Sequence, residues 1–119
     1  MLEIHAIVSH AQDQAFQAIK SGVTNWEVDR AAREVISQAG HGYGYTHGLG
    51  HGIGLETHDP GLNLSEKAPE QELREGMALT IEPGIYLENE FGIRLEDTII
   101  VRPDGYENLT RQDRAIHSI

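Results

Sequence analysis

The run Thr46-His47-Gly48-Leu49-Gly50-His51-Gly52-Ile53-Gly54-Leu55-Glu56-Thr57-His58-Asp59 divides a helix-like half of the chain from a strand-like half. His47 and His51 stand four residues apart, and His58 follows. From Gly40 to Gly54 glycine takes nearly every second position. The run is not a phosphate loop: no Gly-Lys-Ser/Thr follows it, and no Gly-x-Gly-x-x-Gly lies between a strand and a helix. Glycines so placed let backbones pass close to a site or take positive φ.

Upstream, Ile4, Ile7/Val8, Ala11, Ala15 and Ala18/Ile19 repeat at helical spacing, so Leu2 to Lys20 is predicted as a helix with one buried stripe. Ser21-Gly22 ends it. Thr24-Asn25-Trp26-Glu27 reads as a capping box. The second helix carries Val28, Ala31/Ala32, Val35/Ile36 and Ala39 on one side and closes at Gly40. Downstream, Thr57 to Leu73 reads as a long loop, with Lys67 to Glu75 as a solvated rim. Met77 to Glu82 reads as a strand that Ile85 to Leu87 extends past Pro83-Gly84, and Phe91 to Val101 as another. Pro103-Asp104-Gly105 is a turn before a short strand from Tyr106 to Thr110. The expectation is one α+β domain over residues 1–119: two N-terminal helices packed on an antiparallel sheet.

Nineteen acidic residues against nine basic ones give a formal charge of −10. That disfavours nucleic acid and anionic membranes as partners. With no cysteine, disulfides, thiolate metal sites and a cysteine nucleophile are excluded. No apolar run approaches the ~20 residues of a membrane span, and the start Met1-Leu2-Glu3-Ile4-His5 lacks a signal-peptide pattern. The expected location is the cytoplasm.

Strand alternation places Thr80 with Glu82, and Arg94 with Glu96 and Thr98. If the two strands pair, Glu82 and Glu96 project into one pocket. Inward carboxylates are costly unless a proton or cation neutralises them, and a divalent metal would do so. Taken singly, a strand glutamate ordinarily faces solvent and a loop histidine ordinarily has no special role.

Three blocks change that weight: the His-Gly-Leu-Gly-His-Gly-Ile-Gly-Leu run, Glu82-Pro83-Gly84-Ile85-Tyr86, and Gly92-Ile93-Arg94-Leu95-Glu96-Asp97. In order and spacing the chain resembles the metal-binding half of the pita-bread metallopeptidases, closest to their Xaa-Pro-cleaving branch. The resemblance runs from the first helix to about Arg111. It implies about half of a pita-bread fold. His51, Glu82 and Glu96 are then metal ligands, with Glu96 bridging two metals. His47 and His58 lie in the substrate pocket, and Arg94 and Tyr86 support the bridging carboxylate and the catalytic hydrogen bonds.

The implied reaction is metal-dependent hydrolysis of an Xaa-Pro bond in a small peptide with proline at its second position. Two metals ~3.5–4 Å apart can activate a bridging water and polarise the carbonyl. Carboxylates with a single imidazole favour Mn²⁺ or Co²⁺ over Zn²⁺ or Fe²⁺. The family also draws two aspartate ligands from an upstream hairpin, and no Asp-x-x-Arg-Thr segment precedes Ile4. Asp13 and Asp29, on the predicted helices, cannot substitute by spacing. This chain alone is therefore expected to bind at most one metal weakly and to be inactive. Pita-bread halves pack edge to edge about a pseudo-two-fold axis, so exposed edges here imply a homodimer. The rivals are a ligand-deficient peptide-binding scaffold and a methionine aminopeptidase-like enzyme. Intact side chains at every second-half position speak against the scaffold. The Gly-Ile-Arg-Leu-Glu-Asp block favours the proline branch.

Overall fold

The computed structural model describes residues 2–53, 62–87 and 91–110. Helix α1 spans Leu2–Ala18 and α2 spans Asn25–Gln38. The stripe of α1 buries Ile4, Val8, Ala11 and Ala15, and that of α2 buries Val28, Ala32 and Ile36. Each large apolar side chain so buried contributes about 1.5–3 kcal/mol. The first helix stops before the expected Lys20, because Ile19 leaves the spiral in a tight turn to Phe16 and is itself buried. The capping box forms as the sequence predicts: Thr24 Oγ1 accepts from the Glu27 N–H, and Glu27 accepts from the Thr24 N–H. Gly40 follows with φ +86°, a left-handed position suited to glycine. Ala39 is exposed at the helix end rather than buried with the stripe.

After a 3-10 turn at Gly42–Gly44, seven short strands follow among the described residues. They are β1 (Gly50–His51), β2 (Asn63–Leu64), β3 (Ala78–Ile81), β4 (Gly84–Leu87), β5 (Phe91–Arg94), β6 (Asp97–Arg102) and β7 (Gly105–Asn108). All pairings are antiparallel: β1 with β2, β3 with β6 and β6 with β7, and β4 with β5. Three corrections to the sequence reading follow. The loop predicted from Thr57 contains β2, because Asn63-Leu64 pair with Gly50-His51. Ile85 to Leu87 form a separate strand rather than extending Met77 to Glu82. The predicted Phe91–Val101 strand is broken at Leu95-Glu96.

The breaks share one cause. The pairs run in a single register, from Ala78↔Ile100 through Ile81↔Asp97 to Gly84↔Arg94 and Leu87↔Phe91. Between them the ladder is reduced to one bond, from the Leu95 N–H to the Pro83 carbonyl at 3.2 Å. Pro83 has no N–H to donate, and Glu82 turns its own N–H onto the Leu49 carbonyl at 2.7 Å. Glu82 and Glu96 therefore face each other at the interruption, one step beyond the pair Ile81↔Asp97. Strand β1 lies over β3 through the Gly52↔Leu79 bridge and the Ile53 N–H to Ala78 carbonyl bond at 3.0 Å. The side chains of Leu49, Leu79, Ile81, Ile85, Ile93 and Ile99 fill the core between sheet and helices. Among the described residues no helix is long and apolar enough to cross a membrane.

Candidate functional site

His51 is held by its backbone. Its N–H donates to Thr80 Oγ1 at 3.1 Å, and its Nδ1 lies 3.0 Å from the Gly52 carbonyl. A carbonyl only accepts, so Nδ1 carries the proton. In the neutral ring Nε2 then keeps a lone pair, which faces Glu82 Oε2 at 3.6 Å. With the ring neutral, two electron-pair donors stand opposite one another; with the ring protonated, they form an ion pair. This arrangement comes from close backbone packing: a Cβ on Gly50 would run into the Thr80 carbonyl.

Arg94 answers the carboxylates. Its Nη1 lies 4.0 Å from Glu82 Oε1 and its Nη2 lies 3.6 Å from Glu96 Oε1. These distances exceed the ~2.7–2.9 Å of a charge-assisted hydrogen bond, so the guanidinium attracts both groups without binding either closely. Glu96 is thus joined to the His51–Glu82 pair through Arg94. Among the described residues no three His, Asp or Glu side chains are grouped closely enough to hold a metal ion as they stand. The donor types nevertheless fit a divalent cation: one imidazole nitrogen and carboxylate oxygens, with no thiolate.

His47 is set by helix α2. Asp29, fully buried, pairs with Arg33 at 3.3 Å. Arg33 in turn donates to the Tyr45 carbonyl at 3.2 Å and the His47 carbonyl at 2.9 Å, and its guanidinium lies 4.1 Å over the Tyr45 ring. The His47 ring donates from Nδ1 to the Gly48 carbonyl at 2.6 Å. Its Nε2 therefore accepts from the Tyr86 hydroxyl at 3.0 Å. Burial pushes the Tyr86 phenol above its ordinary value, opposed by Arg94, which keeps it protonated at neutral pH.

His47, His51, Glu82 and Arg94 line one cavity of ≈ 690 Å³, together with Gly48, Gly50, Asn63, Ser65, Lys67, Ala68 and Pro69. Tyr86 and Glu96 connect to that lining through His47 and Arg94. His58 lies outside the described residues. Asp13 belongs to α1, and Asp29, besides binding Arg33, accepts from the Glu66 N–H at 3.3 Å. The sequence reading placed Thr80 with Glu82 but missed its bond to His51, and it missed the Asp29–Arg33 brace. Arg33 following Asp29 by four residues was the available signal for the brace; nothing local marks Thr80.

Residues 1–103 match metallopeptidase family M24. The Xaa-Pro dipeptidases of Pyrococcus horikoshii and Pyrococcus furiosus are each 44% identical to this chain over 115 residues, which is 96% of it and 32% of each of them. The X-Pro aminopeptidase structure from Thermotoga maritima superposes with a TM-score of 0.88 at 44% identity, covering 96% of this chain and 32% of that one. The prolidase structure from Pyrococcus horikoshii gives 0.88 at 43% identity, covering 98% and 33%. This chain thus spans about a third of the length of the relatives it matches.

Proposed function

The chain belongs to metallopeptidase family M24, and from that premise we propose that it carries the histidine and glutamate part of a site hydrolysing Xaa-Pro bonds in small peptides. The observation that carries this reading is His51 Nε2 facing Glu82 Oε2 at 3.6 Å, with Arg94 linking on to Glu96, beside His47 in one cavity. In this proposal His51, Glu82 and Glu96 hold divalent metal, with Mn²⁺ or Co²⁺ suited to such donors. When bound, the metal supplies an activated water and polarises the scissile carbonyl.

The chain's own residues do the rest. Tyr86, kept protonated by burial, donates to His47 and fixes its ring. His47, and His58 by resemblance, meet the substrate carbonyl. Arg94 offsets the charge of the two carboxylates. The leaving proline nitrogen must be protonated, because a tertiary amide has no N–H, and a neighbouring imidazole suits that transfer. A cytoplasmic setting and a two-fold dimer belong to the same proposal. The dimer is supported by the outer edge of β7, which pairs with no described strand, and by exposed Tyr106 and Leu109.

Mn²⁺ titration by calorimetry, together with Xaa-Pro turnover, tests the site. The 119-residue chain should bind at most one ion weakly, lose that binding in Glu82→Gln, and show negligible turnover. Absence of Mn²⁺ or Co²⁺ binding, or binding indifferent to Glu82→Gln, would sink the metal reading and favour a peptide-binding scaffold. Metal-dependent turnover at ordinary peptidase rates would refute the expectation of inactivity.

A further inference from the structure

Gln12 interrupts the buried stripe of α1. Val8, Ala11, Ala15 and Phe16 flank it on the helix, all apolar and buried, and Gln12 is itself 0% exposed. Its Nε2 donates to the Ile81 carbonyl at 3.2 Å, while its Oε1 has no hydrogen-bond partner among the described residues. We propose that Gln12 is a positioning residue for Glu82: it fixes the Ile81–Glu82 peptide unit and so aims the Glu82 carboxylate at His51. The inference rests on the metal reading above.

Three observations point to it. First, the Ile81 carbonyl and the Glu82 N–H belong to one planar peptide unit, in which they point in opposite directions. Gln12 holds the carbonyl end from α1. The Leu49 carbonyl holds the N–H end at 2.7 Å. The unit is thus gripped from both sides, and the direction of the Glu82 Cα–Cβ bond follows from how its plane is turned.

Second, the grip falls where the sheet gives least support. Ile81↔Asp97 is the last pair of β3 with β6, and paired strands resume only at Gly84↔Arg94. Pro83 between them has no N–H to donate. Leu49, at the other end of the unit, lies in the glycine run two residues before His51. One peptide unit therefore ties Glu82 both to α1 and to the segment that carries its imidazole neighbour.

Third, packing gives no reason for an amide at this position. A buried acceptor without a partner has lost its water and gained nothing, so the orphaned Oε1 offsets the bond made by Nε2. A methionine or leucine would fill similar space without that penalty. What the amide adds is a donor aimed at the Ile81 carbonyl. Gln12 does not line the cavity of His47 and His51, so it acts on the site through the backbone alone.

The test compares the 119-residue chain with Gln12→Met and Gln12→Leu, and with Val8→Ala, a cavity-forming control one turn earlier on the same buried face. Urea midpoints and calorimetric Mn²⁺ titrations are measured on each. The Gln12 variants should bind Mn²⁺ about fivefold more weakly, the scale of one hydrogen bond, with the urea midpoint unchanged or raised. Val8→Ala should lower the midpoint and leave Mn²⁺ binding unchanged. In the parent, the side-chain amide protons of Gln12 should exchange slowly with solvent. Unchanged Mn²⁺ affinity in the Gln12 variants, or equal weakening in Val8→Ala, overturns the inference alone. Fast exchange of the Gln12 amide protons does the same, even where neither Gln12 variant folds. Failure of the parent to bind Mn²⁺ or Co²⁺ overturns it together with the metal reading.

Discussion

Thr80 is buried under the glycine strand, where its hydroxyl accepts the His51 N–H at 3.1 Å. Thr80→Val keeps the shape and leaves that N–H without its acceptor, so stability should fall by about 1–3 kcal/mol in urea unfolding. The two phenols near the site make a second prediction. Burial raises the pKa of Tyr45 first of all, with Asp29 adding and Arg33 opposing, and burial likewise raises that of Tyr86. Their stabilisation is complete below the unfolded tyrosine value of about 10. It is lost as pH climbs from there toward the folded values, because the folded state then holds protons that the unfolded state has released. Urea midpoints should therefore drop between pH 9 and 11, and drop less in Tyr45→Phe. The placement of Glu82 and Arg94 at one cavity was legible in the sequence, because it follows from strand alternation. The role of Thr80 was not, because it acts on a segment far away in the chain.

The two glycine-flanked strands β1 and β3 meet so closely that Gly50 has no room for a side chain. Gly50→Ala should cost about 2–3 kcal/mol through forced displacement, seen as a lowered urea midpoint, and should also weaken Mn²⁺ binding by moving His51. At the other wall, Asn25 donates to the carbonyls of Asn63 and Pro69 and accepts from the Gln71 N–H at 2.8 Å. Asn25→Ala should lower stability by about 2 kcal/mol and speed hydrogen exchange at Gln71 ahead of the core amides. Both helices and the strand-like half were legible because apolar periodicity and capping are local properties. The breaks at Glu82-Pro83 and Leu95-Glu96 were harder to read. Period-two burial continues from Ile93 to Val101 straight through the interruption, so the pattern itself shows no seam. Strand β2 escaped notice because its two residues, Asn63 and Leu64, take their order from β1 rather than from their own sequence.

At the scale of the whole molecule, β7 has an edge that pairs with no described strand, beside exposed Tyr106 and Leu109. A second copy is the simplest cover for such an edge. Light scattering over a concentration series should show the mass rising toward that of a dimer, and Leu109→Lys should shift the rise to higher concentration. A monomer mass persisting at high micromolar concentration would count against the edge argument. One register also runs unbroken from Ala78↔Ile100 to Leu87↔Phe91. Adding one residue between Ile81 and Gly84 would exchange the faces of everything beyond it on one side, sending Ile85 outward or Glu82 inward. Adding two would restore the faces but slide Glu82 away from Glu96. Surface connections of this chain can thus be lengthened or shortened, while the count of residues along these two strands is fixed by chemistry and packing at once.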